Sequence, residues 1–241
     1  MIARGAMCDL GFARFCLPVD FSSVVVEMIQ LVTRQSRSRL LAKRRLRAKR
    51  VFDWVLCGLS LPLVLPVIAV CAVAIRLESS GPIFFCQMRT GQGGRRFRMF
   101  KFRTMKKNAT ELKKQLEHLN ELTLPDFKIS NDPRITLVGK FLRKTSLDEL
   151  PQILNVLMGT MSLVGPRPTS FTAETYTLQQ TERLEVIPGI TGLWQISGRS
   201  DIDFDDRVRL DAEYIRQQSF WLDIKIIFRT FMAVMRQKGA Y

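Results

Sequence analysis

Histidine is almost missing from this chain of 241 residues: His118 is the only one, and it sits among charged neighbours in a stretch with helical spacing. That setting reads as a surface position, and it leaves Ser-His-Asp catalysis little to work with. The five cysteines, Cys8, Cys16, Cys57, Cys71 and Cys86, form no CxxC pair and have no histidine at metal-ligand spacing, and two of them fall inside an apolar run. A zinc site or a disulfide framework is therefore not expected. No internal repeat is found, and residues 1–33 lack the basic start, clean apolar core and small-residue cleavage site of a secretory signal. Acid is scarce as well: 22 Asp and Glu stand against 37 Lys and Arg, a formal net charge of +15. The partners that this balance favours carry negative charge, whether nucleic acid, anionic lipid or phosphorylated small molecules. A hydrophobic content of 46% is enough for one sizeable core plus an extension.

What is present is strongly segregated. Residues 34–50 hold nine Lys or Arg and no acid. Such a run is attracted to anionic lipid at about 1 kcal/mol per basic residue near the surface; a solvated or nucleic-acid-binding arm is the other reading. Directly after it, Trp54 to Ile75 form an uncharged apolar segment of 22 residues between Asp53 and Arg76, which meets the spanning criterion of about 20 residues. The basic cluster keeps the N-terminal flank in the cytoplasm. Pro62 and Pro66 each remove a helix hydrogen bond, so a bend is expected. Local physics leaves a re-entrant segment and a kinked spanning helix equally open. The part after Arg76, rich in Lys, Arg and phosphate-friendly motifs, suits the cytoplasm.

Ile83 to Met88, the turn Gly91 to Gly94 and Arg95 to Phe102 predict a β-hairpin. Residues 104–122 predict an amphipathic helix through Met105, Ala109, Leu112, Leu116 and Leu119. Two further helices are expected over 205–218 and 220–236. The second carries Phe220, Trp221, Ile224, Ile227, Phe228 and Phe231 on a broad apolar side, read mainly as core packing, with a membrane-interface helix as the alternative.

In Ser146 to Met158, Leu150, Ile153, Leu154, Leu157 and Met158 have the spacing of one buried helix face. Ser146 with Glu149 fits a capping box, but Pro151 would then lie past the first turn, at a cost of about 3 kcal/mol. A start at Asp148 puts Pro151 in the first turn, where proline is tolerated. Either way Asp148 and Glu149 lie at a helix start beside Arg143 and Lys144, which favours their ionised forms. An anionic Asp is a competent nucleophile toward phosphorus when a metal screens the phosphate. Capping and chemistry both remain open on these residues alone.

From about Lys49 to the C-terminus, the sequence resembles the bacterial sugar transferase family, the monotopic polyprenyl-phosphate phosphoglycosyl transferases. The resemblance is carried by KRVFDWVL (49–56), SSGPIFFCQMRTGQGGRRFRMFKFRTM (79–105), DPRITLVGKFLRKTSLDELPQILNVLMGTMSLVGPRP (132–168) and PGITGLWQISGRS (188–200). It implies a mixed α+β, mostly helical monotopic membrane enzyme with an N-terminal re-entrant helix-break-helix, a short β-hairpin and several amphipathic helices. Residues 1–48 would be a basic extension and 49–241 the transferase domain, with membrane segment 54–75 and catalytic part 76–241 on the cytoplasmic face of the bacterial inner membrane.

The implied reaction moves a sugar 1-phosphate from a UDP-sugar to polyprenyl (undecaprenyl) phosphate with release of UMP, at the start of exopolysaccharide, capsule or other surface glycan synthesis. By this resemblance Asp148 attacks phosphorus to form a covalent phosphosugar intermediate and takes part in binding Mg²⁺, while Glu149 assists deprotonation of the lipid phosphate. Lys101, Arg103 and Arg143 are implied as phosphate-facing cations, Pro166-Arg167-Pro168 as a rigid loop at the nucleotide, and Arg199 as a further contact. Pro62 and Pro66 mark the membrane break, although the family's usual Ser-Pro pair is here Leu65-Pro66, so that Ser60 or the doubled proline would have to stand in. Anionic lipids are expected partners, nucleic acid is not, and a homodimer is left open. Met28 is a second candidate start. The competing reading is a membrane-anchored polybasic lipid- or nucleic-acid-binding module without turnover; aromatic-basic stacking outside 95–102 is lacking, which makes nucleic acid its weaker form.

Overall fold

A computed structural model describes the backbone of residues 21–116, 118, 120, 129, 132–198 and 202–236, and most side chains from residue 46 onward. The chain divides into two compact units, Met1–Arg47 and Ala48–Tyr241. In the first, the described backbone is helical from Phe21 as the start of α1 (Phe21–Glu78). The fold described here is that of the second: mixed α and β, mostly helical, with a short antiparallel hairpin and one long apolar helix.

Within the second unit, α1 has two unlike faces. Asp53, Cys57, Cys71 and Ile75 are buried, and Leu61, Ile68 and Ala72 pack beside them. Those positions recur at steps of three to four, so one stripe of the helix lies against the body for about 33 Å. The opposite stripe is apolar and bare, with Leu59, Leu63, Val70 and Leu77 each about 70–80% exposed. Among the described residues, Leu46–Glu78 is the one helical stretch long and apolar enough to cross a membrane.

Helical structure continues through Pro62 and Pro66. Each proline deletes only one ladder bond, and the bonds of the residues around it carry the helix onward. The break expected from the sequence is thus not an interruption of α1. Ser60 donates to the carbonyl of Cys57 at 2.8 Å, not to the Gly58 carbonyl that Pro62 frees.

Strands β1 (Phe84–Thr90) and β2 (Arg96–Phe102) form the hairpin, in register from Phe84 opposite Phe102 to Thr90 opposite Arg96. Residues directly opposite share a face and alternate along each strand. Gln87 and Arg89 therefore stand on the same face as Phe97, Met99 and Lys101. Within the stretch expected to be helical over 104–122, α2 spans Ala109–Gln115. Met105, outside it, bridges to Ile135, so tertiary pairing overrides the local period at its start.

Helix α3 (Leu137–Lys144) begins at Thr136, whose side chain accepts the Gly139 amide. Gly139 lies so close to the Thr104 backbone that a Cβ would come within 2.1 Å of its carbonyl oxygen. Then come a 3-10 helix, Leu147–Gln152, and α4 (Ile153–Met158). The buried face matches the expected one in part: Ile153 is buried and Leu150 and Leu157 pack against the core, but Leu154 and Met158 are exposed and Asn155 and Val156 are buried in their place. A three-residue turn in place of a 3.6-residue one rotates the later positions out of the anticipated stripe. Asn155 bonds the edge of β2, accepting the Phe100 amide at 3.0 Å and donating to the Arg98 carbonyl at 2.7 Å.

Strand β3 (Ser162–Val164) pairs in parallel with β4 (Gly189–Thr191). A Cβ on Gly189 would come within 2.1 Å of the Gly165 nitrogen, so this pair needs glycine. Between the strands lies the short helix α5 (Leu178–Thr181), and after them come α6 (Leu193–Ser197), α7 (Phe204–Gln217) and α8 (Phe220–Met235). β3 is pinned from three elements. Asp53 accepts the Leu163 amide at 3.3 Å, the Tyr214 hydroxyl donates to Asp223 at 2.8 Å and lies 3.2 Å from the Val164 carbonyl, and Lys49 pairs with Asp223 at 2.5 Å. On α8 only part of the apolar side is core: Ile226 is buried, whereas Phe220, Trp221, Phe228 and Phe231 are exposed. The apolar arc is wider than the surface it covers.

Candidate active site

Asp148 and Glu149 are the second and third residues of the 3-10 helix. Ser146, expected as a capping residue, instead takes a left-handed backbone (φ 57°) and makes no side-chain cap bond. It turns the chain sharply between α3 and the 3-10 helix. Pro151 fits inside this short element, and the α geometry that it would disturb begins only at Ile153. The carboxylates therefore cap nothing, and what holds them is a set of cations.

Lys101, projecting from β2, lies 2.9 Å from Glu149 and 3.8 Å from Asp148. Arg167 engages Glu149 with both terminal nitrogens, Nη1 to Oε2 at 3.1 Å and Nη2 to Oε1, the two-pronged geometry that suits a guanidinium. Arg167 is presented between the buried Pro166 and Pro168. Its carbonyl accepts from Arg183 at 3.0 Å, and Arg183 pairs with buried Asp211 at 2.8 Å. Pro166 is anchored through its carbonyl, which accepts the Gly189 amide at 2.9 Å. The GPRP and PGITG motifs are thus one structure, joined backbone to backbone.

The two acids are placed in unlike electrostatic surroundings. Burial, reinforced by neighbouring Glu149 and opposed by Lys101 and Arg143, raises the Asp148 pKa. Burial also works against the Glu149 carboxylate, but Arg167 and Lys101 outweigh it and hold its pKa well below the ordinary glutamate value. Glu149 is firmly ionised and weakly basic; Asp148 is the more basic of the pair.

Of the sequence-derived site residues, Asp148, Glu149, Lys101, Arg167 and its flanking prolines are brought together. Arg143 stands beside them, its Nε donating to Thr104 Oγ1 at 2.9 Å and its charge favoured by Asp148 and Asp132. Arg103 goes elsewhere: it is buried and donates to the Ser79 and Ser80 carbonyls at 2.8 and 3.0 Å, stapling the turn after α1. Strand β2 ends at Phe102, so the alternation that aims Lys101 at the acids does not extend to Arg103. Pro62 and Pro66 lie within α1, and Arg199 lies outside the described residues. Sequence reading passed over Arg89, which has Arg167 and Glu149 as charged neighbours. Its signal was register: Arg89 faces Phe97 across the hairpin and so shares the face of Lys101.

Among the described residues, no three His, Cys, Asp or Glu gather as a metal cage. Mg²⁺ carried by a pyrophosphate needs only one or two protein carboxylates. Asp148, held by Lys101 at the looser 3.8 Å, fits that role better than Glu149, which Arg167 already occupies.

Residues 44–237 match the family described as bacterial sugar transferase. Similar proteins include the galactosyl transferase CpsE of Streptococcus agalactiae, 47% identical over 84% of this chain and 44% of that protein. The undecaprenyl-phosphate galactose phosphotransferase of Salmonella typhimurium is 41% identical over 92% of this chain and 47% of its own length. The exopolysaccharide production protein ExoY of Rhizobium meliloti is 39% identical over 80% of this chain and 88% of its own length. The chain belongs to the bacterial sugar transferase family. It spans a little under half the length of CpsE and of the Salmonella protein.

Proposed function

We propose that this protein transfers a sugar 1-phosphate from a UDP-sugar to polyprenyl phosphate, undecaprenyl phosphate in bacteria, releasing UMP and starting the assembly of an exopolysaccharide, capsule or other surface glycan. The observation that carries the reading is the adjacent carboxylates of Asp148 and Glu149, unlike in basicity, facing Lys101, Arg143 and Arg167 in a chain of this family. The names of the Salmonella relative and of the UDP-glucose:undecaprenyl-phosphate glucose-1-phosphate transferase of Escherichia coli supply the substrate class.

Asp148, the more basic acid, attacks the sugar-bearing phosphorus. A carboxylate–phosphorus bond forms, the anhydride bond breaks, and UMP leaves with the electron pair. An oxygen of polyprenyl phosphate then attacks the same phosphorus and returns Asp148 to its carboxylate. Mg²⁺, when bound at Asp148 and the substrate phosphates, would neutralise pyrophosphate charge. Glu149 receives a proton from the incoming lipid phosphate only once its own cations loosen. A substrate phosphate that draws Lys101 or Arg167 away raises its basicity, which ties its service as a base to occupancy of the site.

The site would face the cytoplasm, where UDP-sugars are found, with α1 held at the inner membrane as a re-entrant anchor that bends at Pro62 and Pro66 without losing its helical structure. One stripe of α1 rests on the body both before and after the prolines, through Cys57 on Met99, Ile153, Val156 and Met161, and through Cys71 and Ile75 on Phe102 and Leu142. A helix seated in this way is poorly placed to carry its two ends to opposite sides of a bilayer, and its bare stripe offers lipid an apolar surface. The test of function is UMP release from a panel of UDP-sugars with polyprenyl phosphate and Mg²⁺; tight, salt-sensitive lipid binding without turnover would instead indicate a binding module.

A further inference from the structure

Two of the cations already assigned to the site, Lys101 and Arg167, are committed to its carboxylates, and Arg143 donates through its Nε to Thr104. Lys101 reaches Glu149 and Asp148, and Arg167 spends both terminal nitrogens on Glu149. Arg96 is used up on the hairpin and the loop after GPRP, donating to Thr90 Oγ1 at 2.8 Å and to the Ser170 and Phe171 carbonyls at 3.0 Å each. Arg89 is different. Its Nη2 donates to Gln87 Oε1 at 2.7 Å, a neutral partner, while its Nε is buried and has no hydrogen-bond partner among the described residues.

Arg89 also stands beside like charge. Its charged neighbours are Arg167, Glu149 and Arg96, and Glu149 is already claimed by Arg167 and Lys101. Burial, followed by the charge of Arg167, brings its guanidinium down to about 10. Two half-buried guanidiniums acting on each other repel unless an anion comes between them, and the unpaired buried Nε–H adds a cost of its own. The hairpin register nevertheless fixes Arg89 there, on the face that carries Lys101.

We propose that Arg89 is a phosphate-binding residue of this site, its unpaired Nε–H donating to an oxygen of a substrate phosphate. The assignment rests on the transferase reading and adds to it a cation with a buried, unpaired donor. Two phosphates share this chemistry, the nucleotide phosphate that leaves as UMP and the monophosphate of the polyprenyl acceptor.

The experiment measures equilibrium binding of UDP, and separately of a short-chain polyprenyl monophosphate, to the full-length protein in detergent, for wild type, Arg89→Gln and Arg89→Lys. Thermal unfolding serves as the control for folding. Arg89→Gln is expected to bind one of the two probes about 10- to 100-fold more weakly, the scale of one lost charge-assisted hydrogen bond, with Arg89→Lys recovering part of the loss. Weakened UDP binding places Arg89 on the nucleotide phosphate; weakened lipid-phosphate binding places it on the acceptor. Wild-type affinity for both probes in a folded Arg89→Gln protein overturns the assignment. Should that variant fail to fold, Arg89→Lys decides, because it keeps the cation without the planar fork: a loss of about fivefold or more supports the assignment and unchanged affinity overturns it. A wild-type protein that releases no UMP refutes the transferase reading; wild-type turnover with unaltered binding by Arg89→Gln refutes only the role of Arg89.

Discussion

Arg167 grips Glu149 through both of its terminal nitrogens, so the acid next to the proposed nucleophile is tied down by a cation of its own. The two carboxylates should therefore fail differently when altered. Asp148→Asn is expected to abolish the UMP burst, by at least about 1,000-fold, because an amide is no nucleophile toward phosphorus. Glu149→Gln should retain a single-turnover UMP burst and a mass increase of the protein by one sugar phosphate, while losing transfer to lipid. Rapid-quench UMP measurement with intact-protein mass spectrometry separates the two; loss of the burst in Glu149→Gln would assign the roles wrongly.

Arg167→Lys should lower kcat/KM about 10- to 100-fold, since a point charge cannot reproduce the two-pronged contact. Glu149 is then held less firmly. Its folded-state pKa is depressed from the ordinary 4.5, so its ionisation contributes stability that is present above that value and lost as pH falls toward the folded pKa. Thermal midpoints measured across pH 3 to 6 (about the usable range) should fall less steeply with acid in Arg167→Gln than in wild type.

The acidic limb of activity has the opposite origin. Asp148 attacks only as an anion, and burial raises its pKa above 3.8 against the pull of Lys101. The UMP burst should decline as pH falls through that raised value, and Lys101→Met should move the limb to still higher pH. A limb that stays in place in Lys101→Met would remove Lys101 from the electrostatics of the nucleophile.

Gly189→Ala tests the joint between the two loop motifs. A methyl group 2.1 Å from the Gly165 nitrogen cannot be accommodated without parting β3 and β4. A loss of about 1–3 kcal/mol is expected, visible as a lower unfolding midpoint, with kcat falling more than KM rises because Arg167 is misplaced.

The parts of this arrangement that could be read from sequence are those with a strong local period or turn. The hairpin was legible from Gly91 to Gly94 and the alternation on either side; helices expected over 205–218 and 220–236 appear as Phe204–Gln217 and Phe220–Met235. What could not be read depends on contacts distant in sequence. The parallel pair β3–β4 is too short for a periodic signal and exists because Gly165 and Gly189 allow two backbones to touch. Arg89 and Arg103 look alike in sequence, yet pairing sends one toward Glu149 and the end of the strand turns the other onto Ser79 and Ser80. The 3-10 geometry of LDELPQ arises from the left-handed turn at Ser146, for which the local residues predict a cap instead.

Topology is tested by single cysteines placed before residue 49 and after residue 76 and labelled with an impermeant reagent. Both should react only from the cytoplasmic side; labelling from opposite sides would make α1 a spanning helix and place the site away from UDP-sugars.

The most direct measurement is UMP release by purified wild-type protein and Asp148→Asn, presented with a panel of UDP-sugars, polyprenyl phosphate and Mg²⁺. Wild type should release UMP with at least one sugar and stop when EDTA is added, while the membrane-associated Asp148→Asn protein releases none. No UMP with any sugar, or undiminished release by Asp148→Asn, would contradict a transferase built on Asp148.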